Sequence, residues 1–413
     1  MKLFINASQI VTCNTNGINF KRGNDLSELE VLTDHFIVEE NGIIKDILPN
    51  SAVSKFSSEF KIDLKDKIVL PGLVECHTHT AFAGSRADEF RLRTQGVHYE
   101  EIARKGGGIK STVEAVRKTS LVELIEIAKP RIDNFISQGI TTLEIKSGYG
   151  LDFENEIKLL HAVKVLNEIY PIKIVPTFLG AHTYPKEYSD DHNGYVDLII
   201  DKMLPHIAKN NLAEFCDVFC ESTAFNSEAT DKIFSAASKL GLGIKIHTEQ
   251  FNNIGGLDVA LKHNAVSVDH LEVLKQDDIE KLGKVETVCD LLPGVSFFLD
   301  YQYAPARKLI DANAIVALST DFNPGSSHIS NLHFIMSLAA IKMKMSIEET
   351  INAVTINAAK SLNRNDKAGS IEIGKQADFS VFDTKEYSDI VYSIGKNLNW
   401  MTIKSGIPIF QKS

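Results

Sequence analysis

The sequence predicts an α/β protein: a (β/α)8, TIM-like barrel with a small composite β-sandwich domain built from both chain ends. Three observations predict it. Between residues 71 and 368, eight apolar strand-like runs alternate with segments whose apolar residues recur at helical spacing. On either side of that stretch the texture becomes β-rich, punctuated by Asn-Gly and Ser-Gly turns. Finally, His77, His79, His182, His247, His270 and Asp321 stand at or near the C-terminal ends of apolar runs, where such a barrel gathers its chemistry.

Taken in order, residues 1–70 open with an apolar run over Leu3–Cys13. Phe36–Glu40 and Ile43–Ile47 flank Asn41-Gly42, a pair that tolerates positive φ at both residues and so predicts a tight hairpin. Ile62–Leu70 follows and stops at Pro71-Gly72. Residues 369–413 show the same texture in Ser370–Ile373, Phe379–Phe382 and Met401–Ile409, the last interrupted by Ser405-Gly406. Joining the two ends in one domain leaves fewer sheet edges to cover than two separate appendages would. The barrel, 71–368, is expected to use strands at Leu73–His79, Gly139–Lys146, Ile172–His182, Glu214–Cys220, Gly241–Glu249, Ala265–Glu272, Thr287–Leu292 and Ala314–Asp321. Helical spacing marks Leu121–Gln138, Glu154–Tyr170, Ala229–Leu240 and Ile254–His263. Ser346 and Glu349 form a capping-box signature opening a helix expected to continue through Thr350–Leu362.

Composition narrows the function classes. The 413 residues are 44% hydrophobic and 24% charged, ordinary for a globular chain able to bury a large core. Lys and Arg number 44 against 54 Asp and Glu, so the net charge of −10 lacks the basic excess that a phosphate backbone demands, and nucleic acid is not an expected partner. The segment Met1–Ala7 has no basic stretch leading into a long apolar core, and no apolar run approaches membrane-spanning length. A cytoplasmic protein with no membrane partner is expected. Five scattered cysteines suit reduced thiols better than a disulfide framework, with Cys216 and Cys220 read as buried core residues.

His77 and His79 lie two residues apart on one run, and side chains along a strand alternate faces, so both imidazoles point to the same side. With His247 ending strand five and Asp321 ending strand eight, four donors face one mouth. Imidazole and carboxylate suit zinc or iron, and a set that leaves one position open lets the ion lower the pKa of water. The expected metal ligands are therefore His77, His79, His247 and Asp321, with His270 better placed beside the water and a fifth direct ligand as the alternative.

The stretch Pro71-Gly72-Leu73-Val74-Glu75-Cys76-His77-Thr78-His79, Asp321 after Ala317-Leu318-Ser319-Thr320, Gly369-Ser370-Ile371, and Gly374-Lys375-Gln376-Ala377-Asp378 resemble the metal-dependent amidohydrolase superfamily. A closer resemblance, to the imidazolonepropionase family of histidine degradation, lies in several further motifs. They are Ala83-Gly84-Ser85-Arg86, Lys105-Gly106-Gly107-Gly108-Ile109, Glu144-Ile145-Lys146-Ser147-Gly148-Tyr149-Gly150, Phe178-Leu179-Gly180-Ala181-His182, His247-Thr248-Glu249-Gln250 and Asp321-Phe322-Asn323-Pro324-Gly325-Ser326.

The resemblance implies the same metal ligands and adds substrate contacts at Arg86, Tyr149, His182, Gln250, Asn323, Gly325 and Ser326. It also implies a small-molecule substrate, 4-imidazolone-5-propanoate, and one metal ion per chain, zinc or iron, with a homodimer as the candidate assembly. A guanidinium at Arg86 suits the substrate carboxylate. In the implied reaction, water attacks the ring carbonyl, His270 and Asp321 carry protons, and His182 polarises the developing oxyanion. Binuclear amidohydrolases place a bridging Lys at the end of strand four. Here that place holds Cys216-Asp217-Val218-Phe219-Cys220-Glu221, which favours a single ion. Lys146, on strand two, reads as a structural or surface residue, and Glu249 as facing away from the site. Gly106-Gly107-Gly108 lacks the spacing of a phosphate loop and reads as a mobile loop after strand one.

Overall fold

A computed structural model describes residues 1–56, 60–96 and 108–412. Among them, parallel strands form one eight-stranded sheet. They are β1 (Leu73–Glu75), β2 (Ile140–Lys146), β3 (Lys173–Ala181), β4 (Phe215–Cys220), β5 (Gly243–Thr248), β6 (Ser267–His270), β7 (Val288–Leu291) and β8 (Ile315–Leu318). Each pairs with the next in sequence, as strands linked by crossover helices do. Beyond the ends of β8 and β1, a bridge between Thr78 and Phe322 draws the sheet round into a nearly closed barrel. The His79 amide donates to the Phe322 carbonyl there at 3.0 Å.

Every predicted barrel strand is present, with ends trimmed by one to four residues, and the predicted helices appear at Leu121–Ile136, Phe153–Ile169, Ser227–Lys239 and Gly256–Lys262. The capping box forms: the Glu349 amide donates to Ser346 Oγ at 3.2 Å and the Ser346 amide to Glu349 Oε2 at 2.7 Å. Its helix, however, stops at Ala353 and resumes as Ile356–Lys360 instead of running on to Leu362. The break has a tertiary cause, because the Val354 carbonyl is taken by the Val74 amide of β1 at 2.9 Å and Thr355 leaves helical dihedrals. β1 likewise ends at Glu75, so His77 and His79 project from an extended segment beyond the regular strand.

The chain ends form a β-sandwich. A four-stranded sheet holds Ile43–Pro49, His35–Glu40, Lys2–Ile5 and Lys61–Asp63. A six-stranded sheet holds Ile407–Gln411, Asn399–Lys404, Phe379–Phe382, Ile68–Pro71, Gln9–Val11 and Val31–Leu32, mixing strands from both ends. Phe4, Ile37, Val69, Phe379, Val381 and Ile403 share one buried core, with Phe4 and Phe379 edge to face at 5.2 Å. The Asn41-Gly42 hairpin forms with φ of 55° and 83°. Two predicted runs are split: Leu3–Cys13 turns at Asn6 (φ 64°) and Ile62–Leu70 at Asp66 (φ 61°), and each crosses from one sheet to the other. Ser370–Ile373 is not a strand. Gly369 and Gly374, both in the left-handed region, bend the chain on either side of it.

Candidate metal centre

Three imidazoles and one carboxylate converge at the C-terminal mouth of the barrel. Ligand nitrogens of His77, His79 and His247 lie within 4.8 Å of one another, and all three residues are buried. Asp321 Oδ1 sits 3.5 Å from His77 Nε2 and 3.3 Å from His79 Nε2, while His247 Nε2 is 3.4 Å from His79 Nε2. Asp321 follows β8 at φ 47°, a left-handed turn that brings the carboxylate round toward the β1 histidines. The four predicted donors are thus brought together.

Two further carboxylates fix the tautomers. His77 Nδ1–H donates to Asp269 Oδ2 at 2.7 Å, and His247 Nδ1–H donates to Asp217 Oδ1 at 3.0 Å. With Nδ1 so engaged, each imidazole turns its Nε2 toward the cluster, the arrangement in which a supporting carboxylate raises ligand basicity. Sequence reasoning does not single out Asp217 or Asp269. The available signal is alternation: Glu144 and Lys146 on β2, and Lys245 and His247 on β5, are charged or polar at every second position of apolar strands, which marks an inward face.

Lys146 departs from the surface alternative. It is wholly buried inside the barrel, with Nζ 2.9 Å from Glu144 Oε2, 2.8 Å from Asp217 Oδ2 and 3.7 Å from Asp269 Oδ2. Burial opposes its charge, but Asp217, Glu144 and Asp269 more than offset that and raise its pKa.

The donor set itself calls for a cation. His77 Nε2 and Asp321 Oδ1 are buried without a hydrogen-bond partner. Burial and the Lys146 charge work against a proton on His77, yet Asp269 and Asp321 outweigh them and lift its pKa to about 10. Burial alone would raise the pKa of Asp321, but the facing His77 and His79 hold it well below the usual carboxylate range. Burial and neighbouring positive charges keep His247 neutral. Buried imidazole nitrogens and a carboxylate oxygen without other partners fit a bound metal ion.

Around this centre stand the remaining predicted residues. His270 ends β6 at φ 84°, and Leu271 follows at φ 72°; positive φ at two successive residues with β-carbons is uncommon and concentrates at functional sites. The His270 ring lies 5.4 Å from that of His247 and 6.0 Å from that of His77, outside the tight group of three histidines. His182 stacks on His79 at 5.3 Å, and Tyr149 lies 5.8 Å from His79 and 5.4 Å from His182. His182 Nδ1–H donates to the Gly148 carbonyl at 3.0 Å, and burial followed by His79 pushes its pKa down to about 3. In that neutral tautomer Nε2 accepts, so His182 as placed suits a substrate N–H; polarising an oxyanion would need the opposite tautomer.

Gln250 is buried beside Glu249, whose carboxylate accepts from Thr248 Oγ1 and, at 3.4 Å, from the Leu257 amide, and so faces the helix Gly256–Lys262. Arg86, the residue before the helix Ala87–Thr94, is gripped by Glu89, with Nε to Oε2 at 2.9 Å. Asn323 spends its side chain on its own turn: Oδ1 accepts from the Gly325 and Ser326 amides at 2.8 Å, and Nδ2 donates to the Asp321 carbonyl at 2.7 Å. Its placement is that of an organiser of the Gly325–Ser326 turn. Gly106 and Gly107 lie outside the described residues.

Comparison with known proteins places these features in context. The amidohydrolase family pattern matches residues 68–407. The chain is 46% identical over 383 residues to an imidazolonepropionase of Thermoanaerobacter pseudethanolicus, covering 93% of this chain and 92% of that one. It is 41% identical over 411 residues to an imidazolonepropionase of Clostridium tetani, covering 99% and 98%. Among solved structures, an adenosine deaminase from Xanthomonas campestris with bound zinc superposes with a TM-score of 0.74 at 18% identity, covering 98% of this chain and 92% of that one. Guanine deaminase from E. coli superposes at 0.71 with 14% identity, covering 100% and 99%; at these identities the likeness concerns the fold.

Proposed function

Because the chain belongs to the amidohydrolase family and, within it, to the imidazolonepropionases, we infer that it opens the ring of 4-imidazolone-5-propanoate to give N-formimidoyl-L-glutamate. It is a hydrolase acting on a cyclic amide C–N bond in histidine degradation, and its substrate is a small molecule. One observation carries the reading from the geometry: the convergent His77, His79, His247 and Asp321 donors share their mouth with Arg86, packed against Gly325 four residues beyond Asp321.

His77, His79, His247 and Asp321 would hold one ion per chain, zinc or iron. When bound, such an ion lowers the pKa of water and polarises a carbonyl oxygen. The chain's own residues do the rest. Asp321 Oδ1 faces the histidines, which leaves Oδ2 to take a proton from the attacking water. A C–O bond forms at the ring carbonyl and the ring C–N bond breaks, with the proton passing through Asp321 and His270 to the departing nitrogen. His182 Nε2 accepts a ring N–H, and Tyr149 and Gln250 wall the ring. Arg86 grips the propionate, with Asn323 holding the Gly325–Ser326 turn against it.

Ultraviolet absorbance of the imidazolone with and without the protein, run beside an ammonia assay, tests the reading. Ring absorbance should disappear without ammonia; ammonia release, or no loss of absorbance, overturns it. Elemental analysis of the purified protein tests zinc against iron and the single-ion stoichiometry. The five cysteines are free and buried, which suits the reducing cytoplasm proposed as its location. Among the described residues no helix is long and apolar enough to cross a membrane. A homodimer belongs to the same reading, and sedimentation would test it.

A further inference from the structure

Beneath the three histidines lies a second layer of charge with no place in the reaction. Lys146, Lys245, Glu144, Asp217 and Asp269 all point into the barrel and are fully buried. Charges so deep are retained only when paired and hydrogen-bonded, and the pairing here is not random. Lys146 Nζ is 2.8 Å from Asp217 Oδ2, and the other oxygen of that carboxylate receives His247 Nδ1–H. The same Nζ is 3.7 Å from Asp269 Oδ2, the oxygen that receives His77 Nδ1–H. Glu144 Oε2, at 2.9 Å, completes its surroundings, and Ser267 Oγ pins Asp269 Oδ1 at 2.6 Å. Lys245 occupies the same interior differently. Its Nζ meets Glu144 Oε1 at 3.3 Å and the Cys76 carbonyl at 3.1 Å; its charge acts on Asp269 through space, without the direct contact that Lys146 makes to both histidine-supporting carboxylates.

We propose that Lys146 is a positioning residue of the metal centre: through Asp217 and Asp269 it holds the imidazoles of His247 and His77 so that both Nε2 atoms face one ion. The inference rests on the metal-centre reading above. An ammonium has three donors around one point charge, which suits a hub under two carboxylates better than a planar guanidinium fork. Without it, Asp217 and Asp269, whose oxygens lie within 4.8 Å of one another, would repel with less to fix their side-chain angles, and each imidazole would inherit that freedom. A partner behind a ligand in this way typically contributes about 10- to 100-fold in metal affinity.

The test uses cobalt(II) as probe, with its dissociation constant measured from visible absorption against a competing chelator. Lys146→Met should bind cobalt about 10- to 100-fold more weakly than the unaltered protein while keeping its far-ultraviolet circular dichroism. Lys146→Met with Glu144→Gln removes one positive and one negative charge together and should show the same loss in a barrel less strained by unpaired charge. In the metal-free protein, the 15N resonances of the neutral His247 ring should report a single Nδ1–H tautomer that the variants blur. A role confined to stability would lower the melting temperature and leave both cobalt affinity and tautomer unchanged. An affinity within about twofold of the unaltered protein in either folded variant overturns the proposal. So does collapse of the charge-balanced double variant, which would make the lysine a requirement of the barrel itself. Failure of the unaltered protein to bind cobalt would instead sink the metal-centre reading.

Discussion

The Arg86 guanidinium lies across the bare α-carbon of Gly325: a β-carbon added there would collide with Arg86 Nη1. Glu89 holds the guanidinium from the other side at 2.9 Å. A loop following β1 is thereby fastened to the turn following β8, and both edges of the barrel's seam contribute to one binding surface. The glycine matters here because of what leans on it, since its backbone φ requires no glycine.

Gly325→Ala should therefore act through Arg86. The obstructing atom is the far end of a flexible side chain, so the guanidinium swings aside and the melting temperature changes by no more than a few degrees. kcat/KM for the propanoate substrate should fall on the order of tenfold, mostly through KM, because the planar fork no longer meets the carboxylate. A loss equal on the acid and on its neutral amide analogue would show that the displaced group does not read the carboxylate.

Removing the guanidinium itself should be harsher. A charge-assisted contact contributes roughly 1.5–3 kcal/mol, so Arg86→Met should lower kcat/KM by roughly 10- to 100-fold or more with metal content intact. Arg86→Lys should recover only part of that, since an ammonium keeps the charge and loses the fork. Steady-state kinetics on acid and amide, with metal analysis of each variant, decide the matter.

Within the centre, His77→Ala or Asp321→Ala should abolish turnover and metal retention while circular dichroism stays near that of the unaltered barrel, because the donors sit at the mouth, above the packed layers. His270→Asn should keep most of the metal and lose catalysis, as befits a ring outside the tight group of three histidines. Metal loss in His270→Asn equal to that in His77→Ala would move His270 onto the ion.

A pH prediction comes from a histidine remote from the chemistry. His333 is buried on the helix Leu332–Met343 and donates from Nε2 to the Gln138 carbonyl at 3.0 Å; burial pushes its pKa down to about 4 from 6.5. Between those values the unfolded chain carries a proton that the folded chain does not, so stability rises with pH across the window and is lost as pH falls from 6.5 toward 4. The full shift is worth roughly 3 kcal/mol. Denaturant unfolding at a series of pH values should show this slope in the unaltered protein and a shallower one in His333→Asn.

The barrel and its donors were legible in the sequence because their signals are local. An apolar run of the right length declares each strand, and a histidine or aspartate at its end declares the site. What stayed hidden depends on the third dimension. Asn6 and Asp66 adopt left-handed conformations that carry one run from sheet to sheet, and nothing in Leu3–Cys13 or Ile62–Leu70 obliges them to. The helix after Ser346 breaks because Val74, far off in the chain, claims the Val354 carbonyl. Lys146, Asp217 and Asp269 are ordinary charged residues until strands β2, β4 and β6 close round a common axis and bury them against one another.

The bridge between Thr78 and Phe322 also bears on how the molecule is made. His77 and His79 leave the ribosome early, whereas Asp321 follows only after seven further barrel strands, so the newborn chain displays imidazoles long before it owns the carboxylate that completes them. The centre is therefore an outcome of ring closure and cannot nucleate it: long-range contacts of this kind form late, once the loop entropy between them has been met. An ion bound across β1, β5 and the end of β8 would then act as a clasp on the finished ring. Chelation should loosen the two lips of that seam before it disturbs the interior of the sheet.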